Sequence, residues 1–353
     1  MNLSVADLPA DIRRLIKDGQ AIPAHPLALT GERKLDPRRQ RSLTRYYIDA
    51  GAGGLAVGVH TTQFAIREAG LYRPVLELAR QSAEAWSDRP LVMIAGLAGP
   101  TEQATREAET AVELGYHAGL LSVAALRNAS EDELIDHCRR VAEKIPIFGF
   151  YLQKAVDGIP LSENFWRRFS QIENVVGIKI APFDRYRTLD VVRGVVAAAA
   201  EERVTLYTGN DDHIVLDLLT PFVARRRDRD VTVRIRGGLL GHWSVWTKAA
   251  VDVFERCKRA VETGAIPSEL LALDSKMTAC NQAVFDVANN FHGVIAGCHE
   301  VLRRQGLLEG IWCLDPNETL GIGQADEISR VCRDYPELTD DAFVAANLER
   351  WLD

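Results

Sequence analysis

The chain lacks a cysteine framework of any familiar kind. Its six cysteines, at 138, 257, 280, 298, 313 and 332, form no CxxC and no other metal-ligand spacing. They fall mostly in helical patterns, as small buried hydrophobes do, which fits a reducing compartment. Long apolar runs are missing too. No segment approaches the roughly 18 uncharged apolar residues of a membrane-crossing helix, and MNLSVADLPADIRRLIKDG carries no secretion-signal core. A net charge of −7 leaves no basic excess for nucleic acid. The one basic run, Arg225-Arg226-Arg227-Asp228-Arg229, is interrupted by an acid and has no aromatic beside it, so a solvated loop is expected. These absences describe a soluble, cytoplasmic protein that engages neither nucleic acid nor membrane.

What is present is a long alternation of apolar strands and amphipathic helices. Hydrophobic residues make up 47% of the 353, enough for a large core. After a short N-terminal helix over 4–18, apolar strand-like runs recur at 21–29, 53–59, 90–95, 119–123, 146–151, 174–181, 204–208 and 231–235. Helices are expected between them at 37–50, 68–86, 101–114, 130–142, 162–169, 188–200 and 214–224. Asp36 with Pro37 reads as a helix start, Thr101 as an N-cap, and Ser130 with Glu133 as a capping box. Alternation of this kind implies parallel strands with right-handed crossovers. Eight units, with no Gly-rich phosphate-binding turn after the first strand, favour a closed (β/α)8 TIM barrel over an open sheet. The barrel with its N-terminal helix is assigned to 1–243, and 244–353 to a C-terminal helical extension packed on it.

Function in such a barrel sits at the C-terminal ends of the strands. Those ends carry His25, His60-Thr61-Thr62, Ala95-Gly96, Ser122, Tyr151-Leu152-Gln153, Lys179, Gly209-Asn210-Asp211-Asp212 and Gly237-Gly238. Along 174–182, strand alternation puts Val175, Gly177 and Lys179 on one face. A cation on the inner face of a buried strand costs several kcal/mol unless it is paired, neutralised or used. The alternative is a strand-end lysine that snorkels to solvent. Tyr151 ends the neighbouring strand, about 4.8 Å away. It is expected on the inner face with Gly149, so that tyrosine and lysine converge on one small molecule. Asp211 and Asp212 have an alternative as caps of the next helix, and Thr61 and Thr62 as turn residues. His25, His60 and His213 lie near strand ends and raise a metal-assisted hydrolase. No HxH follows the first strand, however, and no regular carboxylate set follows the others, so neither metal nor cofactor is assigned. The stretch 242–246 (HWSVW) reads as packing between barrel and helix.

In these motifs the chain resembles the dihydrodipicolinate synthase and N-acetylneuraminate lyase superfamily of class I, Schiff-base aldolases, over residues 20–310. Gly177-Ile178-Lys179-Ile180-Ala181 is similar to the family's GIKEA, which implies that Lys179 forms an imine with a 2-oxo acid. Phe150-Tyr151-Leu152-Gln153 is similar to the YNxP stretch, which implies Tyr151 as proton shuttle. Gly58-Val59-His60-Thr61-Thr62-Gln63 is similar to GTTGE, with two residues inserted before the threonines. This implies that His60, Thr61 and Thr62 hold the oxo-acid carboxylate. Thr208-Gly209-Asn210-Asp211 is similar to the SGDD-like turn, and Gly209, Asp211, Gln153 and Gly238 complete the implied substrate contacts. Three departures stand out. Val123-Ala124-Ala125-Leu126 replaces TPYY, whose tyrosine reaches a neighbouring subunit's site. Lys154-Ala155-Val156-Asp157-Gly158 lacks the arginine that binds the aldehyde's carboxylate, and Ile180 replaces a glutamate.

The expectation is therefore a lyase or aldolase that joins Lys179 to a pyruvate-like 2-oxo acid, without the lysine-biosynthesis reaction itself. The alternatives are an imine-dependent dehydratase or decarboxylase of a sugar-derived oxo acid, and a catalytically silent relative that binds a ligand. A lysine of ordinary pKa near 10.4 is free amine in roughly one molecule in 2,500 at pH 7. Burial that lowers it to ~7–8 raises that fraction by two to three orders of magnitude. By the same resemblance a homodimer or homotetramer is expected.

Overall fold

The computed structural model describes residues 2–353. Helix α1 (Ala10–Asp18) turns Ile12 and Ile16 toward the molecule's interior. There, with Leu8, they meet Ile22, Val92 and Phe148 and plug one end of a barrel. Strands and helices then alternate: β1 (Ala21–Pro23), α2 (Pro37–Ala50), β2 (Gly54–Val57), α3 (Tyr72–Trp86), β3 (Val92–Leu97), α4 (Thr101–Glu113) and β4 (Ala118–Leu121). They continue with α5 (Glu131–Ala142), β5 (Ile147–Leu152), α6 (Glu163–Phe169), β6 (Val175–Ala181), α7 (Arg185–Ala197), β7 (Thr205–Thr208) and α8 (Ile214–Leu219). The starts are capped as the sequence expects. Asp36 accepts the N–H groups of Arg38 and Arg39 ahead of α2, and Ser130 with Glu133 forms a reciprocal box ahead of α5. Thr101 differs. Pro100 holds the cap position, and the Thr101 hydroxyl bonds His137 on α5 at 2.9 Å instead.

After α8 the chain forms a hairpin of β8 (Pro221–Arg226) and β9 (Arg229–Leu240). Eight strands pair in parallel in the order β1-β9-β7-β6-β5-β4-β3-β2. A parallel bridge between Ala24 and Ala56 brings the two ends together, giving the (β/α)8 barrel. One core fills the barrel, with Ala56, Ile94, Leu120, Phe148, Phe150 and Leu152 in it. A larger one lies between strands and helices, where Ile178, Ile180, Trp166 and Phe169 meet.

The hairpin corrects three expectations. The helix expected over 214–224 stops at Leu219, because Pro221 drives Thr220 into an extended conformation (ψ 126°) and supplies no N–H. Phe222 and Ala224 are then buried and Val223 exposed, a period of two that fits a strand. The strand expected over 231–235 is the middle of the 12-residue β9. The basic run is no free loop but the hairpin's tip, where Arg225 pairs with Asp230 at 3.3 Å and Arg226 with Glu201 at 2.7 Å.

The helix that follows β9, α9 (Thr247–Thr263), packs on α2, α8 and β1 as the barrel's own outer layer. It lies beyond residue 243. Then come α10 (Ser268–Val284), α11 (Val294–Arg304), α12 (Gln324–Asp334) and α13 (Asp341–Leu352). The last is pinned to α2: Tyr46 donates to Asp340 at 2.7 Å and Trp351 Nε1 to Asp49 at 2.6 Å. Among the described residues no helix is long and apolar enough to cross a membrane.

Candidate active site

Lys179 sits on the barrel-facing side of β6, buried at 7% exposure. Its partner in register on β5 is Phe150, and Nζ stands 4.5 Å from that ring's centroid. The lysine stem runs against Gly209, just past the end of β7. A Cβ at 209 would come within 2.6 Å of Lys179 Cε, so glycine is what leaves the stem its path. Burial pushes the Lys179 ammonium down to about 8, and the Asp211 carboxylate pulls the other way. Burial likewise pushes the Asp211 carboxyl up to about 7, against the Lys179 charge and the His242 N–H. That N–H donates to Asp211 Oδ1 at 2.7 Å and fixes the carboxyl in place.

The two groups line a cavity of about 40 Å³ together with Thr61, His60, Gln153 and Gly209. Thr61, itself buried, brings a hydroxyl side chain to that lining. Burial, and then Lys179, push His60 down to about 4, so its ring is neutral at pH 7. Phe183, Phe285 and Val294 roof the cavity. The last two come from the tail helices, where the sequence carried no chemical signal.

Three expected positions fall outside the cavity. Tyr151 is one residue past Phe150 and therefore faces the helices, where its ring packs on Trp166 at 5.4 Å. Its hydroxyl donates to Leu161 O and accepts from Leu161 N, each at 3.2 Å. The structure does not bring Tyr151 to Lys179; Phe150 stands there. On β5 Phe148, Phe150 and Leu152 face inward, not the set with Tyr151 and Gly149, since alternation says which residues share a face but not which face is inner. Gly149 is outward for the same reason, against Phe169 and Trp166, and the room left by inward Gly177 is filled by Phe148. Gly238 is also outward, against Trp243. Thr62 is buried behind the cavity with its hydroxyl fully used. It donates to His25 O at 2.6 Å and accepts from Gly58 N and Val59 N.

The remaining histidines are held in place by the fold. His25 bonds Pro26 O and Thr44 Oγ1, both at 2.9 Å, and His213 faces Asp274 at 3.5 Å. Among the described residues no group of three or more His, Cys, Asp or Glu side chains is placed to hold a metal ion.

Leu152, Gln153 and Phe183 are shared with a wider cavity of about 580 Å³, walled further by Asp184, Arg187, Asp212, Asn281 and Gln282. On the other side, His60 and Val156 border an open hollow of about 870 Å³ that contains the Arg67–Glu107 ion pair at 2.8 Å.

A buried, partly neutralised lysine and a carboxyl at the mouth of a (β/α)8 barrel define a class of site suited to carbonyl chemistry on small molecules. The family follows from comparison: residues 20–221 match the dihydrodipicolinate synthetase family, and the chain belongs to it. It is 25% identical to the 4-hydroxy-tetrahydrodipicolinate synthase of Halorhodospira halophila over 50% of this chain and 57% of that protein. It is 27% identical to a probable 5-dehydro-4-deoxyglucarate dehydratase of Acinetobacter baumannii over 36% of this chain and 41% of that one. The chain thus matches about half the length of these relatives. Among solved structures it is similar to the dihydrodipicolinate synthase of Acinetobacter baumannii complexed with pyruvate. Their TM-score is 0.73 at 19% identity, with 90% of this chain and 98% of the other covered. It is also similar to the N-acetylneuraminate lyase of Fusobacterium nucleatum, with TM-score 0.71 at 15% identity over 90% and 99%.

Proposed function

We propose that the protein is an imine-forming lyase in which Lys179 attacks the C2 carbonyl of a 2-oxo acid. The observation that carries this reading is the Lys179 amine itself. It is buried on the barrel's inner face, with its ammonium lowered to about 8, in a cavity shared with Asp211 and Thr61. At pH 7–8 a substantial fraction is then free amine, the form that attacks a carbonyl. The Thr61 hydroxyl and Gln153 amide are the donors for the oxo-acid carboxylate. Once formed, the protonated imine is the electron sink that makes a C–C or C–O bond at the next carbons breakable.

The 580 Å³ cavity that opens off Gln153 favours a substrate longer than pyruvate. Among its largely apolar walls, Asp184, Arg187, Asp212, Asn281 and Gln282 offer partners for a hydroxylated chain, which supports a second reading: the same imine, with loss of water from a sugar-derived oxo acid. The two separate in one experiment. The protein is incubated with a panel of 2-oxo acids and cyanoborohydride, and its intact mass is measured. An increment equal to the whole acid skeleton supports the imine; a further deficit of one water marks dehydration. Absence of any increment across pyruvate and five- and six-carbon hydroxylated oxo acids contradicts the proposal.

A further inference from the structure

An imine-forming lysine needs a partner that moves protons, and the phenol expected for that work is turned away on the outside of β5. Phe150, which occupies the place beside Lys179, has no proton to give. We infer that Asp211 is the general acid and base of this site, taking the part for which no tyrosine hydroxyl is available. This rests on the imine reading above.

The geometry supports it in three ways. Asp211 lines the same 40 Å³ cavity as Lys179. It is carried on the loop that begins at Gly209, the residue against which the lysine stem lies. Its Oδ1 is fixed by His242 N at 2.7 Å, which holds the carboxyl in the cavity lining. The neighbouring side chains offer no equal. Gln153 and Thr61 do not titrate near neutrality. Asp212 lines the adjoining 580 Å³ cavity and not the one around Lys179, and the Cys298 thiol is pushed up to about 12. His60 and His242 are buried into the neutral state, and His242 is not part of the lining.

The steps balance. The Lys179 amine adds to C2 of the oxo acid, and Asp211 relays one nitrogen proton to the carbonyl oxygen to give the carbinolamine. The protonated Asp211 then gives its proton to that hydroxyl, the C–O bond breaks, and water leaves. The protonated imine and an Asp211 carboxylate remain. The carboxylate next takes a proton from C3 to give the enamine, which restores the acid.

The test uses pyruvate as probe. Wild-type protein in D₂O should exchange the pyruvate methyl protons, read by proton NMR, because each imine–enamine cycle passes a proton through the base. Asp211→Asn keeps the Oδ1 acceptor for His242 N and should lower the exchange rate by about 10²–10⁴, the usual scale for a proton-transfer group. Cyanoborohydride should still trap pyruvate on the variant. The pH of half-maximal trapping should also move down, since the Asp211 carboxylate is what raises the Lys179 ammonium. A purely structural role would move neither readout. Exchange in Asp211→Asn at the wild-type rate overturns the assignment. Failure of wild-type protein to be trapped by any oxo acid would instead overturn the imine reading and this inference with it.

Discussion

Two adjacent aromatic residues on β5 have opposite duties, and single substitutions separate them. The Tyr151 hydroxyl is bonded to both backbone groups of Leu161, so Tyr151→Phe should cost about 1 kcal/mol of stability by leaving those groups unpaired. A modest drop in Tm with near-normal turnover is the expected outcome. Lost turnover at unchanged Tm would contradict the placement. Gly209→Ala should act the other way, because its methyl group meets Lys179 Cε at 2.6 Å. The amine must then shift and Ala181, whose Cβ is 2.8 Å from the new methyl, must give with it, so imine trapping should fall at least tenfold alongside a drop in Tm. Burial of Asp211 also has a pH signature. Its folded carboxyl keeps the proton up to about 7, whereas the unfolded one releases it near 3.8. Unfolding therefore releases a proton between those values, and wild-type stability falls as pH rises through that window. The Tm of Asp211→Asn should gain on wild type from pH 4 to pH 7; a constant difference would contradict it. At this scale the sequence identified Lys179, Asp211 and Thr61 as strand-end groups. It did not reveal that Phe150 rather than Tyr151 faces inward, because parity on a fully buried strand leaves no polar side to read.

Among the elements, the helices were the most legible part of the chain. Asp36-Pro37 and the Ser130–Glu133 box carry their own start signals, and α2 and α5 begin where those residues predict. Strand β8 was hidden because α8 is only six residues long and its apolar residues run on through Phe222, Val223 and Ala224, so the pattern looked like one longer helix. Pro221 was the available signal. Once the hairpin forms, its two faces are unequal: Phe222 is buried and Val223 is 55% exposed. Phe222→Ser should cost about 2–4 kcal/mol and Val223→Ser no more than about 0.5. Equal effects in denaturant titrations would argue against the strand.

Over the whole molecule, the added strand β8 and four helices after α9 build on a barrel whose order the strand–helix alternation made readable. The tail's contribution was not readable, because Phe285 and Val294 roof the cavity through packing at long sequence separation. We expect a homo-oligomer, to be checked by sedimentation at micromolar concentration. The turn at Ala124–Leu126 offers no hydroxyl to a neighbouring site. Activity per subunit should therefore stay constant on dilution through dissociation, and a loss that tracks dissociation would contradict a site complete within one chain. The central claim, that Lys179 is the imine-forming group, is tested most directly by reductive trapping followed by peptide mapping. Protein reduced in the presence of its 2-oxo acid should carry that acid's skeleton on the peptide containing Lys179 and on no other lysine. Lys179→Arg, which stays protonated, should carry none. Label on Lys154 or Lys248, or an unchanged yield in Lys179→Arg, would contradict the account.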